Sequence, residues 1–457
     1  MNTLRYDELP GPDASWFGLL QLRDMARDYL GLLERYRHEH GDVVRLRVVR
    51  ERTLDLFDPE LVRRLMVDHA DDLIRWERGT EVFAESVGQS VLVTEGATWQ
   101  RQRRMLMQAF TPKKVAGYAA LMAEAGEAGL NAQRPGDVAM DGLFAQLTMD
   151  VISRTLFSRP ISSSGTNTTE AAAAVQRLSE IGLREMFWPM TLPDWLPLPG
   201  KAAKRRALRL INGLLHERIE ERRRSGEARS DLLGMLLALR DEEGGGALSE
   251  QEVFDQCMLS FQAGHETSST ALLWWSWLMA RHPEAQQRAA EEIGQLQGRA
   301  PGPEDQARLP WLTASLKEAM RLYPPAAALM TRRLKRDIVL PLPDGRQLQL
   351  PARTMVRITP WLLHRDRRWW LEAEAFRPER FLPGANDAIP RGAYLPFGLG
   401  PRVCLGQHFA MLEMQVLAAQ LLQRFRLSTV PGEPEPVPRL AVTLRPAGGL
   451  RLRLEAA

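Results

Sequence analysis

Residues 397–406 read Phe-Gly-Leu-Gly-Pro-Arg-Val-Cys-Leu-Gly, and the fold of the whole chain turns on how they are read. Cys404 stands among three glycines, a proline and an arginine, just ahead of a helical apolar pattern formed by Leu405, Phe409, Leu412, Val416 and Ala419. Cys404 therefore falls at the N-terminal mouth of a helix, where unpaired N–H groups and the helix dipole favour a thiolate. Gly398, Gly400 and Gly406 permit close backbone approach and positive φ, as a loop folded around a ligand requires. Pro401 stiffens the loop, and Arg402 carries five fixed donors suited to a carboxylate. Taken alone, the cysteine also fits a plainer role, because a lone intracellular cysteine is usually a small buried hydrophobe.

Working outward, Ser249-x-x-Glu252 forms a capping box that announces a helix. Val253, Phe254, Cys257, Phe261, Ala271, Leu272, Trp275 and Leu278 carry it to a stop before His282-Pro283. About 30 residues at 1.5 Å each give roughly 45 Å, enough to cross a domain. The middle of this helix reads Ala263-Gly-His-Glu-Thr267 and breaks local rules. Gly264 costs about 1 kcal/mol relative to Ala, and Glu266 sets a charge where the helix is most buried. Rules broken together at one spot point to function. A kinked helix with a solvated Glu266 and a packing Thr267 is the plainer alternative.

Phe-Gly-x-Gly-x-Arg-x-Cys-x-Gly, with Ala263-Gly264-x-Glu266-Thr267 upstream, resembles the haem-binding loop and the distal helix of the cytochrome P-450 family, the haem-thiolate monooxygenases. The resemblance runs from Trp99 to Leu454. It implies a mainly α fold with small β-sheets, the cytochrome P-450 fold, with haem between the long central helix and the loop bearing the Cys ligand. It makes Cys404 the iron ligand, a thiolate that pushes electron density toward bound oxygen to favour O–O cleavage. Phe397, Gly406, Ala263 and Gly264 then fall on haem-contacting positions, and Arg402 on a propionate. Glu266 would relay protons, and the Thr267 hydroxyl, which can bond a backbone carbonyl and open a groove, would stabilise the activated oxygen. His265 is expected to face away from the haem, and Cys257 to be core.

Trp99 and Arg103 lie four residues apart, so an indole N–H and a guanidinium on one helix face can meet a single anion. A core tryptophan beside a solvated basic face fits the same spacing. The resemblance assigns the two residues to a haem propionate, and leaves Arg101 and Arg104 solvated or on a surface that meets a redox partner. Glu318-Ala-Met-Arg321 sits on a helix over residues 312–322 that Pro324-Pro325 ends. An exposed pair at this spacing contributes only about 0.3–0.5 kcal/mol. The family instead buries it with a third basic residue, which here matches Arg380 as a structural member. Residues 326–330 would form an apolar pocket wall, and family spacing selects Arg332 over Arg333 for the second propionate. Arg353 stands where many members have glycine, and Arg367 where proline is common; both are expected in surface turns.

The remaining pattern predicts an amphipathic helix over residues 22–40 and a hairpin of strands 43–49 and 53–57 through residues 50–52. Asp58-Pro59 supplies a helix cap and a first-turn proline. Residues 74–94 look irregular and 122–157 helical and buried, while 162–169 form a polar loop. Residues 178–198, rich in Met, Phe, Trp and Pro, separate two helices, the second from 202; in the family this is a lid over the substrate channel. Residues 241–247 read as an acidic surface loop, and Asp344-Gly345 as the turn between strands 338–342 and 347–350. Residues 441–454 read as a terminal hairpin around Pro446-Ala-Gly-Gly449, with Val442 near substrate.

Hydrophobic content of 44%, charged content of 26% and a net charge of +3 describe an ordinary globular protein and do not argue for nucleic acid binding. Two cysteines make no disulfide framework and suit a reducing, cytoplasmic compartment. Residues 1–12 lack a signal-peptide pattern, and no run of about 18 apolar residues occurs, so a soluble protein of bacterial type without a membrane anchor is expected. The chain ends about fifty residues after Cys404. Residues 1–457 are thus expected to be one haem b domain with no fused reductase, a monomer fed by a ferredoxin or flavodoxin and its NAD(P)H-dependent reductase. The implied reaction inserts one atom of dioxygen into a C–H or C=C bond of a hydrophobic molecule: a fatty acyl chain, terpene, steroid or polyketide. A haem-binding sensor or carrier without turnover, and a haem-free helical interaction protein, are the two other classes.

Overall fold

Val44 and Leu46 alternate with Arg45 and Arg47, and this period of two sets the first paired ribbon, Val43–Val48 against Glu51–Leu56. The second strand begins two residues earlier than expected, and residue 50 of the expected turn lies outside the described residues. The computed structural model describes every residue except 1–2, 14–17, 49–50, 165–166, 189, 191, 194, 197, 228, 242, 329 and 386–387. The chain forms two compact units, each assembled from separated stretches: Met1–Glu77, Arg321–Phe376 and Gly384–Cys404 in the first, and Arg78–Met320, Arg377–Pro383 and Leu405–Ala457 in the second.

The first unit centres on a five-stranded sheet in the order Val43–Val48, Glu51–Leu56, Met355–Ile358, Met330–Leu334, Leu73–Arg75. Thr3–Arg5, Gln347–Leu350 and Ile338–Pro341 make a smaller sheet, the last two joined through Gly345 at φ 82° as the Asp-Gly signal predicts. Leu54, Leu56, Leu65, Leu340, Val356 and Ile358 fill the core. Inside it, Arg357 grips Asp55 with two hydrogen bonds of 2.8 and 2.6 Å, so that neither buried charge stands alone. The helix expected over 22–40 is two helices, Leu19–Arg27 and Tyr29–His40. Asp28 leaves helical geometry (φ −150°) and its carboxylate accepts from Gly31 N–H, capping the second. Asp58 and Pro59 start the next helix as expected, Asp58 accepting from Leu61 N–H at 3.0 Å. Arg353 adopts φ 67°, the left-handed region that suits the glycine common at this position, and Arg367 lies in an exposed turn.

The second unit is helical. Residues 74–94, expected to be irregular, contain the strand Leu73–Arg75 (in the first unit) and the helix Glu77–Val87. Residues 122–157 are two helices, Ala119–Asn131 and Met140–Phe157, joined through the strand Gly136–Ala139; Gly136 at φ 140° and Gln133-Arg-Pro135 interrupt the first. Thr168–Met186 and Lys201–Ser225 flank the lid region, of which residues 189, 191, 194 and 197 lie outside the described set. A buried ionic knot ties these helices together. Lys201 and Lys204 reach Glu185 at 2.7 Å each, Lys204 also pairs with Glu85 on Glu77–Val87, and Arg78 donates to the backbone carbonyls of Glu185 and Trp188. The long helix runs unbroken from Glu250 to Arg281, with the Ser249–Glu252 capping box in place. Its buried Trp274 and Trp275 each find an acceptor, Leu444 O at 2.6 Å and Ser315 Oγ at 2.9 Å.

The expected terminal hairpin is different. Leu444–Pro446 pairs with Pro438–Leu440, while Arg451–Ala456 pairs with Phe425–Thr429 and Gly136–Ala139. Gly448 and Gly449, both at positive φ, turn the chain from one small sheet into another rather than back on itself. Among the described residues no helix is long and apolar enough to cross a membrane.

Candidate active site

Cys404 ends the loop of the first unit. Its N–H donates to the Phe397 carbonyl at 2.9 Å, and Val403 N–H to Gly400 O at 3.0 Å, so the loop closes on itself. Gly398 and Gly400 take φ 81° and 75°. A Cβ on Gly400 would lie 2.1 Å from the Met66 carbonyl oxygen, so only glycine lets the loop rest on that backbone. The helix Gln407–Leu422 begins three residues after Cys404, with Gly406 at its N-cap. The thiol is exposed, whereas Cys257 is buried, its thiol pushed well up in pKa by burial. An exposed, unbridged cysteine inside an over-determined loop is an unusual place for a residue type that is normally buried.

Arg332 lies on the strand Met330–Leu334, whose Met330 Cε would be 3.8 Å from a Cβ on Gly398. Arg332 donates to Thr331 O at 2.9 Å, while Arg333 is committed to Glu51 at 2.6 Å and Glu77 at 2.7 Å. Arg402 is half-buried in the same loop as the thiol. Of the expected pocket wall, Ala327 and Ala328 are buried in the first unit, Ala326 is exposed, and Leu329 lies outside the described residues.

In the second unit the long helix is buried on most sides, yet Ala263 and Thr267, one turn apart, are exposed, and Leu259 is half-exposed on the same face. Thr267 donates to the Ala263 carbonyl at 2.8 Å. Gly264 has a packing reason: a Cβ there would sit 3.0 Å from Ile152 Cδ1 of Met140–Phe157. His265 points into that same packing. Thr148 Oγ1 lies 2.8 Å from its Nδ1 and donates its own proton to Phe144 O, so the imidazole Nδ1–H donates to Thr148. Burial, and then Arg445, hold the His265 pKa down at about 3, so the ring is neutral.

Trp99 and Arg103 share one face of Gly96–Ala109, both half-buried. Arg101 and Arg104, expected to be solvated or on a partner-facing surface, are paired: Arg101 with Glu252, and Arg104 with Asp241 at 2.9 Å and Glu243 at 3.1 Å. The loop at 241–247, exposed from Glu243 onward as expected, thus also supplies partners for this helix. Glu318 accepts from Arg377 N–H at 2.9 Å and Arg380 Nε at 3.3 Å. Arg321 donates to the carbonyls of His364, Ala373 and Ala375, and Glu318 and Arg321 are both fully buried.

Two features were not read from the sequence. The first is the set of partners of Glu266, whose burial was expected: it accepts from Ser179 and from Thr443, the latter at 2.9 Å, with Arg445 3.6 Å away, and residues this far apart in the chain give no local signal. Glu413, on Gln407–Leu422, is fully buried, with the Ser268 hydroxyl of the long helix the neighbour that partly offsets that burial. Burial raises its pKa to about 8, so it is mostly protonated at neutral pH.

The residues fit a haem. The first unit presents an exposed thiol with apolar Phe397 and cationic Arg402 in one loop, and the second a helix bare at Ala263 and Thr267. Among the described residues no three His, Cys, Asp or Glu side chains cluster as a metal site. The family model of cytochrome P450 matches residues 9–452. The chain belongs to the cytochrome P450 family.

Among its relatives, cyclooctatin synthase of Streptomyces melanosporofaciens is 34% identical over 429 residues, covering 90% of this chain and 88% of that one. Cyclooctat-9-en-7-ol 5-monooxygenase of the same organism is 33% identical over 399 residues, covering 86% and 84%. Pentalenene oxygenase of Streptomyces avermitilis is 31% identical over 427 residues, covering 91% of each. This P450 is a haem-thiolate monooxygenase that inserts an oxygen atom from dioxygen into hydrophobic small molecules, and like the family it depends on redox partners.

Proposed function

We propose that Cys404 ligates the iron of haem b, that Trp99, Arg103, Arg332 and Arg402 hold its propionates, and that Glu266 and Thr267 form the proton-delivering pair. Phe397, Ala263, Gly264 and Gly406 would contact the macrocycle. The bound haem supplies the oxygen chemistry; the chain supplies ligand, anchors and protons. The Thr267 hydroxyl spends its proton on Ala263 O and offers its oxygen on the exposed face as an acceptor. Glu266, buried one residue before it, would relay protons to that face. The exposed Cys404 thiol in its glycine loop carries this reading.

We place the substrate among the terpenes, because the relatives are named for pentalenene and cyclooctat-9-en-7-ol, an alkene and an unsaturated alcohol whose largely hydrocarbon bodies suit an apolar pocket. We propose a cytoplasmic monomer, a single haem domain over residues 1–457, reduced by a ferredoxin or flavodoxin and an NAD(P)H-dependent reductase. Its two unbridged cysteines suit that compartment. The deciding experiment is the carbon monoxide difference spectrum. The reduced protein shows the red-shifted thiolate band and Cys404→Ala loses it; a Cys404→Ala protein that keeps the band defeats the assignment.

A further inference from the structure

Glu266 lies at the middle of the long helix with 5% of its surface exposed, and two distant parts of the second unit meet its oxygens. Ser179, on Thr168–Met186, donates to Oε2. Thr443, just before the strand Leu444–Pro446, donates to Oε1 at 2.9 Å, and Arg445 Nε stands 3.6 Å from that oxygen. The proton count at Thr443 is closed. Arg445 Nε donates to its oxygen at 3.3 Å and the Thr270 hydroxyl at 3.4 Å, so its single proton is committed to Glu266. Thr443 is also buried, and a guanidinium does not release a proton at any working pH.

Ser179 is different. It is half-exposed, beside the exposed Glu180, and a hydroxyl can accept one proton while it passes on another. We propose that Ser179 is the point at which solvent protons reach Glu266, while Thr443 and Arg445 fix the carboxylate. In the step, a solvent hydronium gives its proton to Ser179 Oγ and becomes water. The serine's own proton passes to Glu266 Oε2, leaving a neutral serine and a neutral acid. All three are positioning residues, since they act on the reaction through Glu266. The inference rests on the proton-delivery role proposed above for that acid.

The test uses haem-loaded protein with a plant ferredoxin, its reductase and NADPH, and no added substrate. NADPH oxidation is followed in water and in deuterium oxide for Ser179→Ala, Ser179→Thr and Glu266→Gln. Ser179→Ala is expected to slow it about tenfold and enlarge the solvent isotope effect, and Ser179→Thr to restore most of the rate, within the usual reach of a positioned proton donor. A denaturant-unfolding cycle adds a readout independent of turnover: Ser179→Ala lowers the midpoint alone but not in a Glu266→Ala background. If Glu266→Gln slows the reaction and Ser179→Ala does not, Ser179 is structural and the inference is overturned, while Glu266 keeps its role. If Glu266→Gln changes nothing, the proton-delivery reading fails first and takes this one with it.

Discussion

The loop that carries Cys404 and the helix that carries Glu266 are built by opposite means. In the loop, backbone bonds backbone: Cys404 N–H to Phe397 O, Val403 N–H to Gly400 O, and Gly400 seated against the Met66 carbonyl. Around Glu266, side chains hold side chains, Ser179 and Thr443 with Arg445 behind them. A cysteine set by the backbone of its own loop keeps its position whatever its sulfur meets. A proton carrier has to be kept at one orientation, which only directional donors on its own oxygens achieve.

Four substitutions sharpen or break that contrast. Gly400→Ala drives a Cβ to 2.1 Å from Met66 O at φ 75°, and is expected to cost about 3 kcal/mol in denaturant unfolding and to lower haem retention. A loop that tolerates it is not held by its backbone. Thr267→Ala leaves the helix intact but is expected to cut product formed per NAD(P)H about tenfold, near 1.4 kcal/mol. That ratio is read on any compound giving a substrate-induced spin-state shift, and an unchanged ratio removes Thr267 from the pair.

Glu413 supplies a pH test on the helical side. Its folded pKa of about 8 lies above the ordinary 4.5, so the unfolded chain ionises first and stability falls as pH rises between those values. Glu413→Gln removes that loss. Relative to the parent, the variant should gain about 1 kcal/mol from pH 6 to pH 7 in unfolding experiments, and parallel curves would show that the carboxyl is not held neutral. The smallest effect belongs to Gly264→Ala. Helix propensity gains about 1 kcal/mol, while a movable Ile152 methyl 3.0 Å from the new Cβ takes back a similar amount, so the midpoint should stay within about 1 kcal/mol. A loss as large as that of Gly400→Ala would mean that helix packing is as rigid as the loop.

The same contrast explains what could be read in advance. Gly398 and Gly400, the Ser249 box, the Asp58-Pro59 cap and the Asp344-Gly345 turn act within a few residues and each stands where its local chemistry puts it, while Gly406, at φ −83°, does not take the positive φ expected of it. The break at Asp28 was missed because one Asx cap outweighed an apolar pattern that continued across it. The terminal strands were misassigned because pairing partners such as Phe425–Thr429 and Gly136–Ala139 are chosen by tertiary packing, which a β-like run does not encode. Arg101 and Arg104 looked solvated because Glu252 and Asp241, which receive them, lie well over a hundred residues away. The partners of Glu266 escaped notice for the same reason.

The ionic knot of Lys201, Lys204, Glu185 and Glu85 joins three helices electrostatically. Separating a buried pair strands a charge at a cost of about 3–5 kcal/mol, so Glu77–Val87, Thr168–Met186 and Lys201–Ser225 swing as one body more readily than they part. A substitution that loosens any one of these three helices is therefore felt by the other two.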